Sequence, residues 1–153
     1  MSAGTFHHFG PHGRNFFHPQ PTPDGRMVAI ESTMVNEDAG NVPLDLTSRN
    51  ARITCELAGR PEVAVYAGCD RPMERELFTA EYVHGESGID GPTLPEPSRS
   101  AADLHAVDFR IAELRRSPEP VTVCLLGPMT NMALALVKEP AITANIREFV
   151  IMG

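Results

Sequence analysis

Val121 to Leu126 is an almost wholly apolar run of strand length. A run of that kind suits a strand buried on both faces, which is the habit of a parallel sheet covered by helices. The segments around it alternate in the same sense. Met27 to Val35 is β-rich and bounded by turn residues, so it reads as a strand. Asn41 to Gly59 reads as a loop and then a helix: Pro43 suits a first turn, Gly59 suits the position just past a helix end, and Leu46, Asn50, Ile53 and Leu57 recur at helical spacing. Val63 to Tyr66 is a short strand. Ser100 with Asp103 resembles a capping box, and Leu104, Val107, Ile111 and Leu114 form one apolar helix face. Thr130 to Lys138 is a short helix stopped by Pro140, and Phe149 to Met152 begins another strand. Strands separated by helices imply βαβ units, hence an α/β fold with a parallel, Rossmann-like sheet and flanking helices.

The chain changes character near residue 26. Residues 1–26 hold prolines at 11, 19, 21 and 23 and show no period of 2 or 3.6, so they read as an irregular His/Pro-rich arm ahead of an α/β domain at 27–153. His7, His8, His12 and His18 lie in that arm with no scaffold to fix a metal geometry. A formal net charge of −7 argues against a nucleic-acid partner, which requires a clustered basic surface. No apolar run reaches the roughly 20 residues of a membrane span, and the N-terminus lacks the apolar segment of a secretory signal. Cys55, Cys69 and Cys124 are odd in number and form no C-x-x-C, which fits a reducing cytoplasm. Cys55 and Cys124 sit inside apolar patterns and read as small buried hydrophobes.

Ligands of parallel α/β sheets bind beyond the carboxyl ends of the strands. Three segments fall there. Ala39-Gly40-Asn41-Val42 follows the first strand; its asparagine offers a donor and an acceptor, or simply caps a helix. Residues 67–99 form a long glycine- and proline-rich loop, and loops of that length more often carry function or mobility than neither. Within it, His84-Gly85-Glu86-Ser87-Gly88-Ile89-Asp90-Gly91 is a tight polar turn whose histidine could serve as acid or hydrogen-bond donor, or which is a plain surface turn. Cys124 to Asn131 runs through Gly127-Pro128 into a helix. A sharp turn there leaves strand-end carbonyls for a hard cation, while Thr130 or Asn131 can cap the helix. No G-x-G-x-x-G or phosphate-binding loop occurs.

Taken in order and with their spacing, these stretches resemble the inosine-uridine preferring nucleoside hydrolase family. The matching segments are Ala39 to Leu44, Thr47 to Arg52, Cys55 to Pro61, Val65 to Pro72, Val83 to Pro92, Leu126 to Ala135 and Ile146 to Gly153. The resemblance implies hydrolysis of the N-glycosidic bond of a ribonucleoside to ribose and free base. A calcium ion would hold the ribose diol and the attacking water, and an aspartate would act as base. It further implies that Asn41, His84 and Met152 contact substrate, that the backbone carbonyl of Leu126 ligates calcium, and that members are homo-oligomers in the cytoplasm. The sequence departs from the family in three ways. The D-T-D-P-G-x-D-D motif that supplies the base and most calcium ligands is not among these 153 residues, and Asn36-Glu37-Asp38 stands as an insertion before Ala39. The half that carries a later E-F-N motif and a closing aspartate is also missing. One carbonyl does not make a calcium site, which takes six to eight oxygens. The expectation is therefore a partial nucleoside hydrolase fold, inactive alone; the alternative is a non-catalytic module that binds nucleosides or a subunit. An uncovered sheet edge should leave it marginally stable.

Overall fold

A computed structural model describes residues 30–32, 42–74, 76–89, 91, 93–125 and 127–151. The expected elements at 1–26, the turn residues Ala39 to Asn41, and Leu126 and Met152 lie outside the described residues. The elements in chain order are β1 (Ile30–Ser32), α1 (Leu44–Leu57), β2 (Val65–Ala67), α2 (Glu81–His84), α3 (Ala106–Arg116), β3 (Val121–Leu125), α4 (Thr130–Lys138), a 3-10 turn (Pro140–Asn145) and β4 (Ile146–Ile151).

The strands pair as two parallel ribbons. β1 pairs β2, with Ile30 opposite Val65 and Ser32 opposite Ala67. β3 pairs β4, with Val123 opposite Phe149 and Leu125 opposite Ile151. Each ribbon is closed by a helix, α1 for the first and α4 for the second, so both are βαβ units of the expected α/β fold. Tyr66 is bridged to Ala102, whose N–H donates to the Val65 carbonyl at 2.9 Å, and this draws the loop ahead of α3 back along β2.

α1 shows how the sequence sets its own limits. Pro43 stands at the N-cap rather than inside the first turn, and its carbonyl accepts from Leu46 and Thr47 at 3.1 Å. Asp45 lies in the first turn, where a negative charge complements the helix dipole. At the other end Gly59 takes φ +70, with its N–H on the Glu56 carbonyl and the Arg60 N–H on the Cys55 carbonyl. That double bond pattern is a Schellman stop, which needs a residue tolerant of positive φ. Of the expected apolar stripe, Ile53 is buried and Leu57 is exposed.

The main core gathers Val107, Ile111 and Leu114 of α3, Leu125 of β3, Met132 and Ala135 of α4, and Ile142 of the 3-10 turn. Each of these side chains other than Ala135 contributes about 1.5–3 kcal/mol on burial. Val42, Ile53, Cys55 and Val65 are buried around α1 and β2.

Several expectations are corrected. α3 begins at Ala106, not near Ser100: His105 is its N-cap, with Nδ1 accepting the Val107 N–H at 3.3 Å, and Leu104 is exposed. Ala102, between the two expected capping residues, is instead bridged to β2, so Ser100 and Asp103 have no helix to cap. β2 starts two residues later than Val63, and β4 starts three residues earlier than Phe149. β3 is covered on one face alone. Val121, Val123 and Leu125 meet the core, whereas Cys124 on the opposite face is exposed, because no described helix packs on that side. Phe149, Val150 and Ile151 of β4 are exposed as well.

Candidate functional site

The loops at the carboxyl ends of the strands are joined in pairs by two buried asparagines. The first pair joins the start of α1 to the His84–Gly91 turn. Asn50 is buried on α1, and its Nδ2 donates to the Ser87 carbonyl at 2.7 Å. Gly88, at φ +75, lies directly on Val42: a Cβ there would come within 2.7 Å of Val42 Cγ2 and 3.2 Å of Asn50 Nδ2. Val42 is fully buried. Val42, the end of one stretch singled out in the sequence, is thus packed on Gly88 of the other, 46 positions along the chain.

The same helix face holds the rest of the long loop. Arg49 donates to the Glu96 carboxylate at 2.9 Å through Nε. Arg52 Nη1 donates to the Arg99 carbonyl at 2.8 Å, and Glu56 accepts from both the N–H and the hydroxyl of Ser98 at 2.8 Å. These contacts have electrostatic signatures. The Arg49 guanidinium holds the Glu96 carboxyl below the usual carboxylate range, and the Ser98 hydroxyl does the same for Glu56. Side chains of α1 thus hold the long loop at Ser87, Glu96, Ser98 and Arg99.

The second pair joins the β2 exit to the β3 exit. Asn131, in the first turn of α4, is 1% exposed, and its Oδ1 accepts the Cys69 N–H at 2.8 Å. Gly68 presses against it so closely that a Cβ would fall 2.3 Å from Nδ2. Nδ2 has no hydrogen-bond partner among the described residues. Asn131 does not cap its helix, as the sequence suggested it could; Met129 occupies the N-cap. The Gly127-Pro128 turn is thus anchored to the β2 loop one residue beyond the helix start.

Beside the second tie lies a cavity of about 560 Å³. Leu44, Gly68 to Met73, His105, Thr130 and Leu134 line it, so the first residues of α1 and α4 and the N-cap of α3 all border it. The volume falls within the range of small-molecule sites, about 300–1,000 Å³. Burial, and then the Asp70 charge, push the Cys69 thiol up from its ordinary value, which leaves it a poor nucleophile.

His84 ends α2, half-buried, and does not line this cavity. Asn41, Leu126 and Met152 are outside the described residues, although their neighbours Val42, Leu125 and Ile151 are placed. Among the described residues no group of three or more His, Cys, Asp or Glu side chains converges on one point. The described donor set therefore does not fit the calcium site that the resemblance implies, and no catalytic step follows from it. Asn50, Gly68 and Asn131 escaped the sequence reading as site-forming residues. Only the closeness of Asn131 to Gly127-Pro128 hinted at a role.

Parallel βαβ units with loops joined over a strand-end cavity define an α/β protein of the kind that binds small molecules at its strand ends. Comparison with known proteins makes this specific. The pattern of the inosine-uridine preferring nucleoside hydrolase family matches residues 27–153, and the chain belongs to that family. It is 48% identical over 125 residues to an uncharacterized protein of Schizosaccharomyces pombe, covering 81% of this chain and 40% of that one. It is 44% identical over 124 residues to the pyrimidine-specific ribonucleoside hydrolase RihA of Salmonella newport, again covering 81% of this chain and 40% of the relative. Among solved structures, the purine-preferring ribonucleoside hydrolase from Gardnerella vaginalis superposes with a TM-score of 0.76 at 33% identity, over 86% of this chain and 42% of that one. A plant nucleoside hydrolase superposes at 0.72 and 29% identity, over 86% and 40%. The chain thus spans about 40% of the length of the curated relatives it matches. No helix among the described residues is long and apolar enough to cross a membrane.

Proposed function

We propose that these 153 residues form the ribonucleoside-facing loops of a nucleoside hydrolase and do not by themselves carry out the hydrolysis. The observation that supports this is the pairing of the strand-end loops, Val42 on Gly88 and Asn131 on Cys69, around one end of the fold. Asn41 and His84 are then the ribose- and nucleoside-contacting residues, with Met152 beside the ribose. They lie on, or next to, segments that these contacts hold in place. The Leu126 carbonyl, at the turn anchored by Asn131, is one oxygen for a calcium ion whose remaining ligands these residues do not supply. The acid-rich motif that would hold the base is not in the sequence given, so binding without turnover is the behaviour we expect. The reading rests on the domain at 27–153, ahead of which the His/Pro-rich arm at 1–26 is a separate stretch of sequence. The assembled enzyme would be a cytoplasmic homo-oligomer acting in nucleoside breakdown.

The test is to incubate the purified chain with inosine and with uridine, with calcium or with EDTA, and to measure released ribose. Both nucleosides belong in the assay because the relatives include a pyrimidine-specific and a purine-preferring enzyme. A folded chain that releases no ribose under any of these conditions is the expected result. Calcium-dependent release would show that a complete ligand set is built from these residues, and would overturn the proposal.

A further inference from the structure

We propose that Asn131 is the positioning residue of the strand-end cavity and that Gly68 is its fitted counterpart. The two ribbons of the fold share no strand pairing among the described residues, so nothing in the backbone ladders fixes the distance between the β2 exit and the β3 exit. The Asn131 side chain spans that gap. Its Oδ1 holds the Cys69 N–H at 2.8 Å, and its amide fills the space that any side chain at Gly68 would need. At 1% exposure the group is almost completely desolvated, and a lost bond there has no water to replace it. Cys69 and Thr130, on either side of this contact, both line the cavity. Asn131 therefore sets the width between the cavity wall from β2 and the wall from α4, and it does so without touching a ligand. The identity of that ligand, a ribonucleoside, rests on the function proposed above; the positioning role does not.

The experiment is amide hydrogen exchange on the full 153-residue chain, read at Cys69 and, as a reference for global opening, at Ile111 and Leu114 in α3, together with inosine binding by calorimetry. Asn131→Ala should speed exchange at Cys69 by roughly five- to 150-fold relative to the α3 reference, the range expected when a buried donor loses its partner. Asn131→Asp keeps the acceptor and should restore Cys69 protection relative to that same reference. If Asn131→Ala does not fold, Asn131→Asp alone decides: Cys69 protected in step with α3 supports the role, and Cys69 exposed beyond α3 overturns it. Equal acceleration at Cys69 and α3 in Asn131→Ala would also overturn it, since that is the mark of a merely structural residue. If wild type does not bind inosine but Cys69 responds as stated, the ligand reading fails and the positioning role stands.

Discussion

Gly88 rests on Val42 with no room for a side chain between them: at φ +75 its backbone brings a would-be Cβ to 2.7 Å from one Val42 methyl and 3.0 Å from the other. Two demands meet at one residue, a left-handed backbone and a close approach to a fully buried neighbour. Gly59 shares the first demand, at φ +70, but has open space where its Cβ would be. We predict that Gly59→Ala costs about 1 kcal/mol and Gly88→Ala about 2–4 kcal/mol, the excess being the overpacking against Val42. Urea denaturation of the two variants measures the difference, and equal costs would contradict the close packing.

Asn50 acts on the same turn through its amide. Asn50→Leu removes the donor to the Ser87 carbonyl at a site where little water reaches, and should cost about 1–3 kcal/mol. The loss should be local first. Limited proteolysis is expected to cut between residues 86 and 91 in the variant well before wild type is cut, while the α3–α4 core stays intact.

The long loop should also respond to acid. Glu56 and Glu96 are both held below the ordinary glutamate value in the folded chain, by Ser98 and by Arg49. A depressed carboxyl stabilises the fold above the unfolded value of about 4.3, and the contribution is lost as pH falls through the lower folded value. Both groups are exposed, so the effect is small, but both act on residues 87–99. Protection factors in that segment, corrected for the intrinsic slowing of exchange in acid, should fall below about pH 4 before those in α3 do. Glu96→Gln should flatten the response; an unchanged pH profile would contradict the Arg49 contact.

The three cysteines make a direct check on burial. Cys124 is exposed on the bare face of β3, Cys69 is half-buried with its thiol pushed up, and Cys55 is buried with its thiol also pushed up by desolvation. Alkylation at pH 8 followed by peptide mass spectrometry should label Cys124 first, Cys69 next and Cys55 last. Slow labelling of Cys124 would mean that its face of the ribbon is covered in solution.

Helix α4 was legible to the residue, because Gly127-Pro128 and Pro140 bracket a short apolar segment and act on the backbone directly. Gly59 was legible for the same reason. α3 was misplaced at its start: Ser100 and Asp103 have the residue types of a capping box, but tertiary pairing of Ala102 with β2 takes that stretch away from the helix, and His105 caps in their place. Cys124 is exposed where its apolar surroundings predict burial, because an apolar run predicts a strand without saying which of its faces is covered. The family resemblance identified the segments that meet at the strand ends. It did not reveal that Asn50 and Asn131 hold them there, since a buried asparagine looks like any other polar residue until the chain 37 or 62 positions away is placed beside it.

The most direct test is a two-dimensional NMR titration of the 153-residue chain with inosine. We predict saturable shifts confined to the strand-end loops, at Val42, Gly68 to Asp70, His84 to Gly88 and Gly127, with α3 unmoved. An absence of shifts up to millimolar inosine, or shifts centred on the β3–β4 face instead, would contradict a ribonucleoside site at the strand ends.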